Sequence, residues 1–104
     1  MFTQRVYNET FMIRLVVISP HAQKQLRLVP KHIVTNLMAW VEAVQEKGLE
    51  TVRQVPGFHD EPLKGQRKGE RSIRLSRAYR AIYTLRDGGR IEFASVEEVS
   101  KHDY

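Results

Sequence analysis

The spacing of hydrophobic residues changes along the chain from helical to strand-like, and this change predicts an α+β fold. Residues 12–18 form a nearly continuous apolar run rich in β-branched side chains, which is typical of a buried strand. Ser19 and Pro20 follow as an N-cap and a first-turn proline, so the sequence predicts a short helix over residues 20–28. The folded part of the chain is therefore expected to begin with a strand and a helix.

A longer helix is predicted over residues 31–47. Four large apolar residues recur there at three- and four-residue spacing: Ile33, Leu37, Trp40 and Val44. Trp40 and the nearby Met38 are predicted to be core residues rather than parts of a ligand site. Gly48 is expected to end this helix, because glycine readily adopts the backbone conformation found at helix C-termini.

The second half of the chain predicts an antiparallel meander. Three strand-like runs follow the helices: residues 72–76, 79–85 and 90–99. Residues 87–89, Asp-Gly-Gly, supply a hairpin turn between the last two runs. Residues 58–70 are predicted to be a loop and residues 100–104 a polar tail. The sequence thus predicts an α+β fold with an N-terminal strand, two helices and an antiparallel β-meander, the helices packed on one sheet face.

Alternation within the strands predicts which side chains reach the core. Ile73 and Leu75 are expected to face the helices, which places Arg74 on the open face of the sheet. Tyr83 and Phe93 are also predicted to be core residues.

Length and composition limit the possible classes of protein. With 104 residues, the chain is expected to hold one domain over residues 12–104, preceded by a flexible or appended segment, residues 1–11. No apolar run approaches the roughly 20 residues that cross a membrane, and no secretion signal is apparent. The sequence contains no cysteine, which excludes disulfides, thiolate metal sites and cysteine nucleophiles. A cytoplasmic location is the simplest interpretation.

Positive charge is concentrated in one segment. The formal net charge is +5, and seven of the seventeen cations lie between residues 64 and 80, opposed only by Glu70. These cations are Lys64, Arg67, Lys68, Arg71, Arg74, Arg77 and Arg80. Such clustering indicates a protein that binds a polyanion, and the alternative is an ordinary solvated strand face.

Three further residues are candidates for chemistry. Glu61, among cations, is a possible proton acceptor, although a plain surface pair with Lys64 is an equal alternative. His102 has the side chain best suited to proton transfer near neutral pH, but a terminal histidine is often simply solvated. Tyr104, at the end of the chain, is a candidate for stacking on a base. The remaining histidines match no metal-ligand spacing.

Four stretches, taken in order, resemble the RelE/ParE superfamily of bacterial toxins, in particular the RelE-, YoeB- and HigB-like messenger-RNA interferases. They are residues 61–65, 69–76, 79–83 and 96–104. The resemblance implies a RelE-like fold and the toxin of a type II toxin–antitoxin system. It also implies an endoribonuclease without a metal or other cofactor, which inhibits translation by cutting mRNA in the ribosomal A site. Its partners would be mRNA, the ribosome and a cognate antitoxin protein.

The resemblance also implies residue roles. Glu61 matches the general base, Arg80 the arginine that stabilises the transition state, and His102 the general acid. The other positions that match catalytic residues are Lys64, which binds phosphate, Arg74, a second strand cation, and Tyr104, which stacks on RNA. The remaining cations are expected to bind RNA: Arg67, Lys68, Arg71, Arg77 and Lys101. Asp103 departs from the YoeB-like pattern, in which histidine and tyrosine are adjacent.

Two alternative functions fit the same features. A ParE-like member would poison DNA gyrase without cutting RNA, and a noncatalytic module would only bind RNA. Glu61, Arg80 and His102 favour the nuclease, because neither alternative needs a set of groups for proton transfer.

Overall fold

The computed structural model of the chain describes residues 12–89 and 91–101. The helices are α1 (Pro20–Leu26), α2 (Lys31–Lys47) and the single turn α3 (Leu49–Val52). The strands are β1 (Val16–Ile18), β2 (Glu61–Pro62), β3 (Glu70–Arg74), β4 (Tyr79–Asp87) and β5 (Glu92–Lys101). The predicted α+β order is confirmed.

The five strands form one sheet in the order β1-β5-β4-β3-β2. Strands β2 to β5 are an antiparallel meander, and β1 joins β5 in parallel at one edge. The predicted hairpin turn between β4 and β5 is confirmed: Gly89 has a φ of +95°, and the Gly88 N–H donates to the Ile91 carbonyl at 3.0 Å.

Local hydrogen bonds and backbone conformation set the bounds of α1 and the end of α2. The Ser19 hydroxyl caps α1 by accepting the Ala22 N–H at 3.1 Å. This helix ends at Leu26, two residues earlier than predicted, because the Leu28 N–H donates three residues back, to the Gln25 carbonyl. The bounds of α2 agree with the prediction, and Gly48 ends it with a φ of +87°.

The core lies between α2 and the helix-facing side of the sheet. Ile33, Leu37 and Trp40 of α2 are completely buried, and the Trp40 ring packs on that of Tyr83 with centroids 5.1 Å apart. Met38 was predicted to be core, but it is 45% exposed. One residue turns an α-helix by about 100°, so a side chain next to Leu37 can point to solvent.

Four other predictions from the sequence need correction. Phe93 was predicted to be core, but it is only half-buried, because it pairs with Arg86 on the side of the sheet away from the helices. The first strand covers only Val16–Ile18 and lies at an edge of the sheet, so Val17 is 41% exposed rather than buried. Residues 100 and 101 are part of β5 rather than a polar tail, because they pair with β4. The region predicted as a loop contains β2, which pairs with β3. In each case the partner strand, and not the local sequence, decides the structure.

Among the described helices, none has the length and apolar character that a membrane span requires.

The contrast between Leu37 and Met38 provides a test of the core. Leu37→Ala should lower the free energy of unfolding by about 2–5 kcal/mol, because it removes a fully buried side chain. Met38→Ala, at a half-exposed position of the same helix, should cost about 1 kcal/mol or less. Urea unfolding of both variants measures the difference, and equal losses would contradict the described orientation of α2.

Candidate nucleic-acid interface

The sheet has one face toward the helices and one face away from them, called here the open face. Glu61 pairs with Ser72, Ser72 with Ile82, and Ile82 with Glu98. Directly paired residues project on the same side of a sheet, so these four side chains form a row across the open face, called the glutamate row. Glu61 therefore lies on the open face.

A second row contains the strand arginines. Arg74 pairs with Arg80, and Arg80 pairs with Ser100, two residues along from the glutamate row. Strands lie about 4.8 Å apart and residues rise about 3.3 Å each, so the Glu61 and Arg80 Cα atoms are roughly 12 Å apart. These residues are called here the arginine row. At this separation one ligand can contact both Glu61 and the side chains of the arginine row. As predicted, Ile73 and Leu75 are buried on the other side.

The Arg80 guanidinium has an unsatisfied donor. Its Nε is buried, yet it has no hydrogen-bond partner among the residues that the structure describes. Arg74 is exposed and makes no ion pair within the same residues. A buried N–H without an acceptor costs free energy. Phosphate is an acceptor that guanidinium groups bind through paired hydrogen bonds.

Arg67 binds two carboxylates across the open face, although its side chain is 46% exposed. Its Nε contacts Glu70 Oε1 at 2.6 Å and its Nη2 contacts Glu98 Oε1 at 2.8 Å, so the guanidinium bridges β3 and β5 across β4. The hydrogen bond from Arg67 holds the pKa of the Glu98 carboxyl below its ordinary value. Sequence reasoning did not identify Glu98, since its partner lies 31 residues away.

The other cations predicted to belong to the site, Lys64 among the catalytic residues and the rest as RNA-binding residues, are spread around the molecule. Lys64 and Lys68 flank the 3-10 turn Gly65–Arg67 at the end of the β2–β3 hairpin, and both are exposed. Arg77 lies in the turn between β3 and β4. Lys101 pairs with Tyr79, and both are one residue along their strands from the arginine row. Since successive strand residues alternate between faces, Lys101 projects from the helix-facing side of the sheet.

Arg71 is also on the helix-facing side. Its Nε contacts Asp60 Oδ1 at 2.6 Å, and the Asp60 side chain is completely enclosed. The Tyr83 hydroxyl donates to Asp60 Oδ2 at 2.6 Å and accepts from Arg53 Nε at 3.3 Å. Burial and the bond to Asp60 raise the pKa of Tyr83 to about 12. Asp60 was not singled out from the sequence, because a loop aspartate is usually solvated.

A cavity of about 300 Å³ lies at the end of β3. Arg74 borders it, and its other walls are mainly apolar: Asn36, Ala39, Val55, Gly57, Phe58 and Leu75. The cavity is large enough for a planar ring system and adjoins the arginine row.

The predicted tail residues His102, Asp103 and Tyr104 lie outside the described residues, as does the segment 1–11. Their roles stay predictions. Among the residues that are described, no group of three or more His, Asp or Glu side chains is placed to hold a metal ion.

Several solved structures of bacterial toxins and their complexes have a similar fold. A YoeB/ParE toxin from Agrobacterium tumefaciens has a TM-score of 0.62 and 17% identity, covering 86% of this chain and 99% of that one. YafQ in the E. coli DinJ–YafQ toxin–antitoxin complex has a TM-score of 0.65 and 22% identity, covering 86% and 94%. The chain has the fold of the RelE/YoeB toxin superfamily.

A third solved structure of similar fold is also a toxin–antitoxin complex. The RelBE2 toxin–antitoxin complex from Mycobacterium tuberculosis has a TM-score of 0.60 and 17% identity, covering 85% of this chain and 96% of that one. No family model matches the sequence, and no curated protein matches it. The structural likeness thus establishes the RelE/YoeB fold, and the function is argued from the site.

The bridge from Arg67 to Glu98 predicts a pH-dependent stability. The pKa of Glu98 is lowered by folding, so its stabilisation is present above the unfolded value of about 4.3 and is lost as the pH falls through the folded value. Glu98→Gln should lower the free energy of unfolding by about 0.2–1 kcal/mol at pH 7 and by almost nothing at pH 3. Urea unfolding at both pH values measures this.

Glu92→Gln is the matched control on the same strand, because Glu92 makes no ion pair within the described ranges. It should show no such dependence on pH. An effect of Glu98→Gln that is equal at pH 3 and pH 7 would refute the bridge.

Proposed function

We propose that the chain is the toxin of a type II toxin–antitoxin system and acts as a metal-independent endoribonuclease on mRNA in the ribosomal A site. The observation that carries this proposal is the buried, unpartnered Nε of Arg80, beside Arg74 and on the same face as Glu61. Among the described residues neither guanidinium group forms an ion pair with a carboxylate. Such groups suit a phosphate, which accepts paired hydrogen bonds from arginine.

The proposed reaction needs no group beyond the RNA and the side chains. The ribose 2′-oxygen forms a bond to the adjacent phosphorus while the bond from phosphorus to the 5′-oxygen breaks. Glu61 takes the proton of the 2′-hydroxyl, and His102 gives a proton to the departing 5′-oxygen. Arg74 and Arg80 stabilise the charge of the phosphorane, and the products are a 2′,3′-cyclic phosphate and a 5′-hydroxyl.

The glutamate row contains two carboxylates, and their partners distinguish them. Glu98 is held by Arg67 at 2.8 Å. Glu61 is exposed and forms no ion pair with any described residue, so it can accept a proton from a bound ligand. This contrast supports Glu61 as the base.

The cavity beside Arg74 supports a single-stranded RNA substrate. Unpaired bases are commonly bound by stacking on aromatic side chains next to a cationic track for the phosphates. Phe58 is an aromatic wall of the cavity, and Arg74 stands at its border. In this proposal Lys64 binds a phosphate next to Glu61, Lys68 contacts a more distant phosphate, and Tyr104 stacks on a base.

A cognate antitoxin is the proposed protein partner. The structures of similar fold include the DinJ–YafQ and YoeB–YefM complexes, each a toxin with its antitoxin or partner. An acidic or otherwise complementary segment placed over the arginine row would compete with RNA for the same guanidinium groups.

Two arginines of β4 provide a matched test of the nuclease. Arg80 and Arg86 lie on the same strand and the same face, but Arg86 is neutralised by Glu97 at 3.0 Å. Arg80→Ala should slow cleavage of a defined mRNA on ribosomes by about 10²–10³-fold, since it removes stabilisation of the phosphorane. Arg86→Ala should cleave at nearly the wild-type rate. The initial rate of appearance of cut ends measures both.

A parallel reaction with DNA gyrase distinguishes a nuclease from a gyrase poison. The second function is tested because one structure of similar fold carries both the YoeB and ParE names. Intact mRNA together with trapped gyrase–DNA cleavage complexes would overturn the proposal. Equal losses in the two arginine variants would overturn the assignment of Arg80.

A further inference from the structure

We propose that Asp60 is a positioning residue: its buried carboxylate, held by Arg71 and Tyr83, fixes the backbone that presents Glu61 on the open face. This inference rests on the proposed function, because it concerns how the proposed base is held. It assigns to Arg71 a part in supporting the site in place of direct contact with RNA.

Both carboxylate oxygens of Asp60 have a partner. Its side chain has 0% exposure; Oδ1 meets Arg71 Nε at 2.6 Å and Oδ2 accepts the Tyr83 hydroxyl at 2.6 Å. Arg53, directly after α3, donates to the same hydroxyl and so connects these groups to the helical layer. The hydrogen bonds that hold the Asp60 carboxylate are called here the anchor. A buried carboxylate is stable only when its oxygens accept hydrogen bonds in this way, so the anchor has one favourable geometry.

Asp60 and Glu61 are adjacent in the chain and serve opposite sides of the sheet. Successive residues of extended backbone project to opposite faces. Asp60 points toward the helices, where Arg71 and Tyr83 are neighbours in one cross-strand row. Anchoring Asp60 there leaves Glu61 projecting from the open face, paired with Ser72.

The backbone around Glu61 has little else to hold it. Strand β2 is two residues long and lies at the sheet edge, and its second residue, Pro62, has no N–H to donate. His59, just before Asp60, has a φ of +47°, the only positive value outside glycine in the described residues. Such a conformation is unfavourable for a side chain with a Cβ and persists only where its surroundings enforce it.

The Leu63 amide reports on this anchor without any reference to catalysis. Its N–H donates to the Glu70 carbonyl at 2.9 Å, at the end of the β2–β3 pairing. Asp60→Asn should raise its hydrogen exchange rate by about tenfold or more, because β2 opens more often. Asp87→Asn removes the same charge from the exposed β4–β5 turn and should leave this amide unchanged. Exchange at Leu63 that is unaltered by Asp60→Asn would overturn the anchor.

Cleavage kinetics test whether the anchor acts through Glu61. Asp60→Asn should lower kcat about 10- to 100-fold and leave KM nearly unchanged, since it misplaces the base and removes no phosphate contact. In a Glu61→Gln background the further effect of Asp60→Asn should disappear, because no base remains to be positioned. A full, multiplicative effect in the double variant would show a general structural role and overturn the inference.

Tyr83→Phe is the milder variant if Asp60→Asn does not fold. It removes one hydrogen bond to Asp60 and keeps the ring that packs on Trp40, so it should show the same changes at reduced size. Wild-type levels of both exchange and kcat in Tyr83→Phe would also overturn the anchor. Unimpaired cleavage by Glu61→Gln alone would instead refute the proposed base, and the Leu63 measurement distinguishes the two failures.

Discussion

The pairing of β4 with β3 on one side and β5 on the other decides which side chains meet on the open face. A slip of one residue in either pairing would move Arg80 to the core side and Tyr83 to solvent. Tyr83 packs against Trp40 with no exposure, so the core fixes the register and, with it, the arginine row. The candidate site therefore depends on hydrophobic packing on the opposite side of the same strand.

Charges on the open face fall into two classes. Arg67 is shared between Glu70 and Glu98, and Arg86 is paired with Glu97. These pairs hold the hairpin loop and the strands together, and each has only modest energetic value. The arginine row and Glu61 have no such partners in the described part of the chain, and it is these unneutralised groups that suit a substrate carrying both a phosphate and a hydroxyl.

Short-range patterns predicted much of this arrangement, and long-range contacts account for what they missed. Alternation placed Ile73 in the core and Arg74 opposite, because the period of a strand is local. A register shift near Ile82 brings both Glu97 and Glu98 toward open-face arginines, which strict alternation excludes. The burial of Asp60 requires partners on β3 and β4, so no local pattern marks it.

The most direct test of the central claim is the chemistry of the cut RNA ends. A defined mRNA on ribosomes is incubated with the protein, and the groups left at each cut are analysed. Cleavage should leave 2′,3′-cyclic phosphate and 5′-hydroxyl ends, as attack by the ribose hydroxyl requires. Uncut mRNA, or cut ends that carry a 5′-phosphate, would contradict it.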